Sequence, residues 1–380
     1  MRKIFILFIG ILLSAATCFG AGNDLFMLIG CMAEPSQPGM YLYRFDEASG
    51  KAILLRKVNQ IANPTYINFT KDGRNLYAVS ETQDGKAKLY SYVFNNKNGN
   101  IRLLNYQLTH GDNPCNVWID ADKSIAVTAN YFGGSITAFP LQRDGRLHKG
   151  KLFQFEGGDP KSARQEQPHL HCIYTSPDNL YLYANDLGTD QIYKYDLVEN
   201  KAQHTLSLKK GTPASFKLPA GEGPRHTEFH QNGKFAYIIG ELSGNVTVLK
   251  YNKGNLTPIQ TIIADTLNAA GSADIHVAPD GRFLYVSNRL KGDGIAIFSI
   301  NVKTGLLTKI GYQLTGLHPR NFIITPNGKF LLCACRDSNV VQIYTINKEN
   351  GLLTSIHNDI SISKPMCVKF TEIHETYQNK

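Results

Sequence analysis

The stretch from Ser272 to Arg289, SADIHVAPDGRFLYVSNR, is two apolar runs folded about Pro279-Asp280-Gly281. Asp-Gly between apolar runs marks a tight hairpin, because glycine accepts the positive φ such turns need. The pattern recurs along the chain. Its copies open at Asn63-Pro64, Asn113-Pro114, Gln167-Pro168, Gly223-Pro224, Gly271-Ser272, His318-Pro319 and Lys364-Pro365. Matching turns occur at Lys71-Asp72-Gly73, Ser176-Pro177-Asp178, Gln231-Asn232-Gly233 and Thr325-Pro326-Asn327-Gly328.

Each pair of runs is followed by a third apolar run, such as Ile295 to Ile300 or Val341 to Ile346, then by a weaker fourth. Four strands in a unit of roughly fifty residues is the signature of a propeller blade. The expected fold is therefore all-β: a seven-bladed β-propeller with four antiparallel strands per blade. The seventh copy supplies only Met366 to Phe370, and Leu25 to Cys31, Met40 to Phe45 and Ala52 to Val58 supply what it lacks. Both termini then close the last blade, leaving no free ring edge.

Ahead of the ring, Arg2 and Lys3 precede an apolar run from Ile4 to Leu13 and a small-residue stretch ending at Gly20. That is the order of a secretory signal peptide, too short to be a membrane span. The expectation is a signal over 1–20 and one propeller domain over 21–380. The protein is expected to be exported, periplasmic or extracellular; anchoring through a lipid on Cys18 is the alternative. The other six cysteines form no Cys-x-x-Cys pair, and no metal site is expected. Lys and Arg outnumber Asp and Glu by 40 to 31, a formal net charge of +9, yet the basic residues are scattered singly, so a nucleic-acid partner is not expected. No cofactor motif occurs: the chain lacks a Walker loop and a dinucleotide-binding glycine motif, and no serine-nucleophile elbow is present either.

Aligning the copies places side chains at one end of the ring. The residue after the Pro-type anchor is Thr65, Cys115, Arg225, Ala273, Arg320 or Met366, and aligning the two-residue-longer third copy on its Pro-Asp turn puts His171 at this position. The residue after the second strand is Glu81, Tyr131, Asp186, Glu241, Arg289 or Arg336. Strand ends need no charge to fold, so these ionisable residues point to a ligand at the channel mouth. Arg suits an oxyanion, and a Glu or neutral His can take a proton from water or carbon. The candidate catalytic set is His171, Glu241, Arg225 and Arg289. The candidate binding set is His169, Arg320, Glu81, Asp186, His226 and Asn130.

Several segments resemble the seven-bladed lactonase family, which includes propeller-type 6-phosphogluconolactonases and fungal carboxymuconate lactonising enzymes. They are Gln165 to His171, Gly223-Pro224-Arg225-His226, Gly240-Glu241-Leu242-Ser243, Ile275 to Arg289, Pro319-Arg320-Asn321-Phe322 and Ala129-Asn130-Tyr131 with Gly133-Gly134-Ser135. The resemblance implies a metal-independent site at His169 or His171, Arg225, Glu241 and Arg289. It departs at Gly240, where that family usually carries Asn. The leading expectation is a lactonase acting on an anionic sugar lactone, with Glu241 or His171 activating water and the arginines binding charge. A lactone-forming cycloisomerase and a non-catalytic carbohydrate- or protein-binding propeller are the alternatives, and the chain is expected to be a monomer.

Overall fold

Residues 24–374, apart from 123 and 201–204, are described by a computed structural model. The segment read as a signal, with Cys18, lies outside the described residues. Among the described residues every regular element is a β-strand, arranged as seven antiparallel sheets. No helix among them is long and apolar enough to cross a membrane.

The innermost strands run in chain order: Ile67–Phe69, Pro114–Ile119, Leu170–Thr175, Pro224–Phe229, Ser272–Val277, Pro319–Ile324 and Pro365–Glu372. Each packs on the next, and Pro365–Glu372 packs on Ile67–Phe69, so the ring closes. The seventh blade joins Pro365–Glu372 to Asp24–Cys31, then Met40–Asp46 and Ala52–Val58. Its register pairs Leu28 with Lys369 and Leu42, which fixes both ends of the chain in one sheet.

Why the second strands read as unbroken apolar runs is now plain. Asn75–Ser80, Phe235–Gly240, Phe283–Asn288 and Phe330–Cys335 are buried along their whole length, because both faces of a blade lie against neighbouring blades. Between the fourth and fifth blades, for example, Tyr237, Ile239 and Val248 pack with Leu284, Val286 and Phe298. The outer strand Leu307–Leu314 alternates buried and exposed residues instead.

A tyrosine of the second strand also staples blades together. The hydroxyls of Tyr77, Tyr183, Tyr237 and Tyr285 donate to the carbonyls of Gly145, Gly254, Gly305 and Gly351, each in an outer turn of the following blade, at 2.8–3.0 Å. These phenols are buried, and the bond satisfies the one polar atom each carries inward.

The feature that builds the site is a β-bulge repeated at the start of the innermost strand. Pro224 pairs with Gly240 and His226 with Ile239, so Arg225 is an extra residue without a partner in the ladder. The same slip leaves Cys115, His171, Arg320 and Met366 unpaired, and in the fifth blade both Ala273 and Asp274. A bulge bends the strand and re-aims its side chains. Here it breaks the strict alternation that would send one of every two neighbours into a blade.

Candidate active site

Arg225, Glu241 and Arg289 come together at the channel mouth. Arg225 is almost fully buried, and its Nε donates to Glu241 Oε2 at 2.8 Å while Nη1 donates to the Ala273 carbonyl at 2.7 Å. Arg289 Nη2 lies 3.3 Å from Glu241 Oε1, and its Nε donates to the Gly271 carbonyl at 2.7 Å. A third guanidinium, Arg164, reaches Glu241 Oε1 at 2.6 Å from the lead-in to the third blade. Three cations therefore surround one carboxylate, and the cluster holds surplus positive charge.

Burial by itself would push the Glu241 carboxyl up. Arg289, Arg225 and Arg164 outweigh it and hold the group at about 2. Glu241 is thus ionised, with both oxygens engaged by guanidiniums. Burial, opposed by Glu241, lowers Arg289 and Arg225, and the neighbouring arginines lower them further, though a guanidinium stays charged. His318 stands 3.2 Å from both Arg289 and Arg336, and burial followed by those cations holds it neutral at about 3.

His171 is buried beside this cluster. Its ring meets Tyr131 edge-on at 5.7 Å and His226 at 5.1 Å, and its Nδ1 has no hydrogen-bond partner. Burial, then Arg225, His226 and Arg320, hold it well below 6.5, so it is neutral. His169 stacks on Tyr131 at 4.4 Å, with Nδ1 3.0 Å from the Tyr131 carbonyl and Nε2 3.6 Å from Glu166. His226 is held at about 4 by burial and Arg225, although Asp274 opposes both.

The remaining predicted positions divide. Arg320 and Glu81 face one another across the mouth at 3.8 Å, and Glu81 also accepts from the Thr65 hydroxyl. Asp186 instead caps a turn, accepting from the backbone of His169 at 2.7 Å and Gly188 at 2.9 Å and from Thr189 at 2.6 Å. Asn130 also stays out of the cluster: its amide nitrogen donates to Ser135 and Thr137 and its oxygen accepts from Thr128, all within its own blade. At Gly240 a Cβ would lie 2.5 Å from the Glu222 carbonyl oxygen. The Glu222 carboxylate occupies that corner, bonded to Ser243 at 2.5 Å and Asn245 at 3.2 Å.

Three groups at the site were not named as candidates from the sequence. Arg164 sits on the non-repeating lead-in to the third blade, where alignment of copies has nothing to compare. His318 was visible only as a repeat anchor. Asp274 is the second of the two unpaired residues in the fifth-blade bulge and binds His226 Nδ1 at 2.7 Å.

Comparison with known proteins agrees with this architecture. Residues 26–370 match the family described as Lactonase, 7-bladed beta-propeller. A 6-phosphogluconolactonase of Formosa agariphila is 37% identical, over 86% of this chain and 93% of the relative. A solved structure from Bacteroides fragilis, assigned provisionally as a 6-phosphogluconolactonase, is 47% identical with a TM-score of 0.89, covering 92% of this chain and 98% of that one. The Pseudomonas aeruginosa periplasmic gluconolactonase is 29% identical with a TM-score of 0.86, covering 93% of this chain and all of its own, 100%. Fold, ring closure and family match agree: the chain belongs to the seven-bladed β-propeller lactonase family.

Proposed function

We propose that the protein is a lactonase that hydrolyses an anionic sugar lactone of the 6-phosphogluconolactone type. The observation that carries this reading is three guanidiniums converging on one carboxylate beside a neutral histidine. A phosphate carries about −1.5 to −2 at neutral pH and can take up the surplus charge through charge-assisted hydrogen bonds. The names of the Formosa and Bacteroides relatives support the same substrate class.

In hydrolysis, water adds across the ring ester: its hydroxyl goes to the carbonyl carbon, the ring C–O bond breaks, and the ring oxygen takes a proton. The hydroxy acid then ionises and releases a proton to solvent. His171 suits the role of base. It is uncharged at neutral pH, and its ring is not pinned by an ion pair. Glu241 suits it less, because both of its oxygens are already engaged by Arg164, Arg225 and Arg289. Its role in this scheme is to hold Arg225 and Arg289 where charge develops on the carbonyl oxygen.

The test is hydrolysis of 6-phosphoglucono-δ-lactone and glucono-δ-lactone by the purified protein, measured above the spontaneous rate. Acceleration with at least a tenfold preference in kcat/KM for the phosphorylated lactone is expected. Preference for the neutral lactone would refute the anionic assignment, and no acceleration of any lactone would refute the activity. Lactone formation from a muconate would instead support the cycloisomerase reading. Export is part of the proposal and rests on the Arg2 to Gly20 pattern, with the periplasmic Pseudomonas relative in support; cell fractionation checks it.

A further inference from the structure

Two of the five buried side-chain atoms without a hydrogen-bond partner among the described residues are ring nitrogens of adjacent histidines: Nδ1 of His171 and Nε2 of His226. Their rings lie 5.1 Å apart, inclined at 64°. On its other side His226 Nδ1 is 2.7 Å from Asp274 Oδ1. An ionised carboxylate only accepts, so His226 Nδ1 carries the proton and Nε2 is a bare acceptor. A buried bare acceptor beside a buried unpartnered ring nitrogen costs free energy unless that nitrogen carries a hydrogen.

We infer that His226 and Asp274 act as positioning residues that fix His171 in the Nδ1–H tautomer and leave His171 Nε2 as its basic nitrogen. The hydrogen bond between the two rings forms on a small rotation or through one water. Asp274 is well placed to anchor such a chain. Its Oδ2 accepts from Asn321 Nδ2 and from the Phe322 backbone at 3.2 Å, and lies 3.3 Å from His276 Nε2. Those contacts bring three blades together on one carboxylate. His276 in turn meets Glu228 at 2.5 Å, which completes a polar line down the channel. The bulge makes this possible, because it turns Arg225 and His226, neighbours in sequence, to the same channel.

The inference rests on the lactonase reading only for its kinetic arm. The charged and titratable groups around the pair are Arg225, Arg320 and Tyr131 at His171, and Arg225, Asp274, His276 and Tyr66 at His226. Nitrogen-15 spectra of histidine-labelled protein at neutral pH should find Nδ1–H tautomers for both His171 and His226. An Nε2–H tautomer at His171 overturns the inference, whatever the enzyme turns over. Kinetically, His226→Leu removes the acceptor and should lower kcat about 100-fold with KM within about twofold of wild type. His226→Gln keeps an acceptor oxygen and a donor for Asp274, so it should recover most of that loss. Equal activity of wild type and His226→Leu, or a loss carried by KM alone, overturns the inference. If wild type hydrolyses no lactone, the lactonase reading falls while the spectra still decide the tautomer.

Discussion

Replacing Glu241 by Gln should expose how the mouth is held together. In the fold the carboxyl sits at about 2, against an ordinary 4.5, so its charge contributes about 3 kcal/mol to stability at neutral pH. Mutational experience with buried pairs broken on one side gives about 3–5 kcal/mol, in the same range. With an unfolding entropy of roughly 2.1 cal/mol/K per residue over 380 residues, the loss corresponds to about 4 °C in Tm. The sign with pH follows from the depressed value. The stability from Glu241 is fully present above about 4.5 and disappears as pH falls toward about 2. Wild type and variant should therefore differ in Tm at pH 7 and converge in acid. The variant also leaves Arg164, Arg225 and Arg289 without their counter-ion, so millimolar phosphate should raise its Tm more than that of wild type. The assay is thermal unfolding by circular dichroism across pH, with and without phosphate. A variant as stable as wild type at pH 7, or one that phosphate helps no more, would refute the picture of a carboxylate standing among surplus cations.

His171→Gln should lower kcat by about 10²–10⁴-fold with little change in KM, measured by steady-state hydrolysis of the preferred lactone. Because the base must be neutral and His171 is held well below 6.5, kcat/KM should be flat from pH 6.5 to 8 and fall only at lower pH; an acid limb centred near neutrality would contradict the assignment. Tyr237→Phe removes the bond to the Gly305 carbonyl and should cost about 1–2 kcal/mol by denaturant unfolding while leaving activity intact. Burial raises the thiols of Cys31, Cys115, Cys172, Cys333 and Cys367, so these cysteines should resist a thiol reagent in the native protein and react once it is unfolded.

Ring and blade count were legible because the chain states the same hairpin repeatedly, and each copy confirms the reading of the others. Aligned copies also located Arg225, Glu241, Arg289 and His171, since equivalent positions in a closed ring share a face. The same logic placed Asp186 on that face too, where its carboxylate caps its own turn. It could not reach Arg164, which lies on a lead-in that does not repeat. Asp274 was hidden for another reason. Two-residue periodicity assigns neighbours to opposite faces, and only the bulge, a property of pairing between strands, places consecutive residues together on the channel.

The seventh blade binds Pro365–Glu372 to Asp24–Cys31, so its pairs join residues more than three hundred positions apart. Such contacts are the slowest to form, since the whole intervening chain must already be ordered before they reward the search. A refolding chain should pass through an open arc of six blades with two bare edges, most of its β signal already present. The mouth pairs Glu81 of the first blade with Arg320 of the sixth, which face each other only once the ring is closed. Catalytic competence should therefore return last, as a single late step set by the meeting of the two ends.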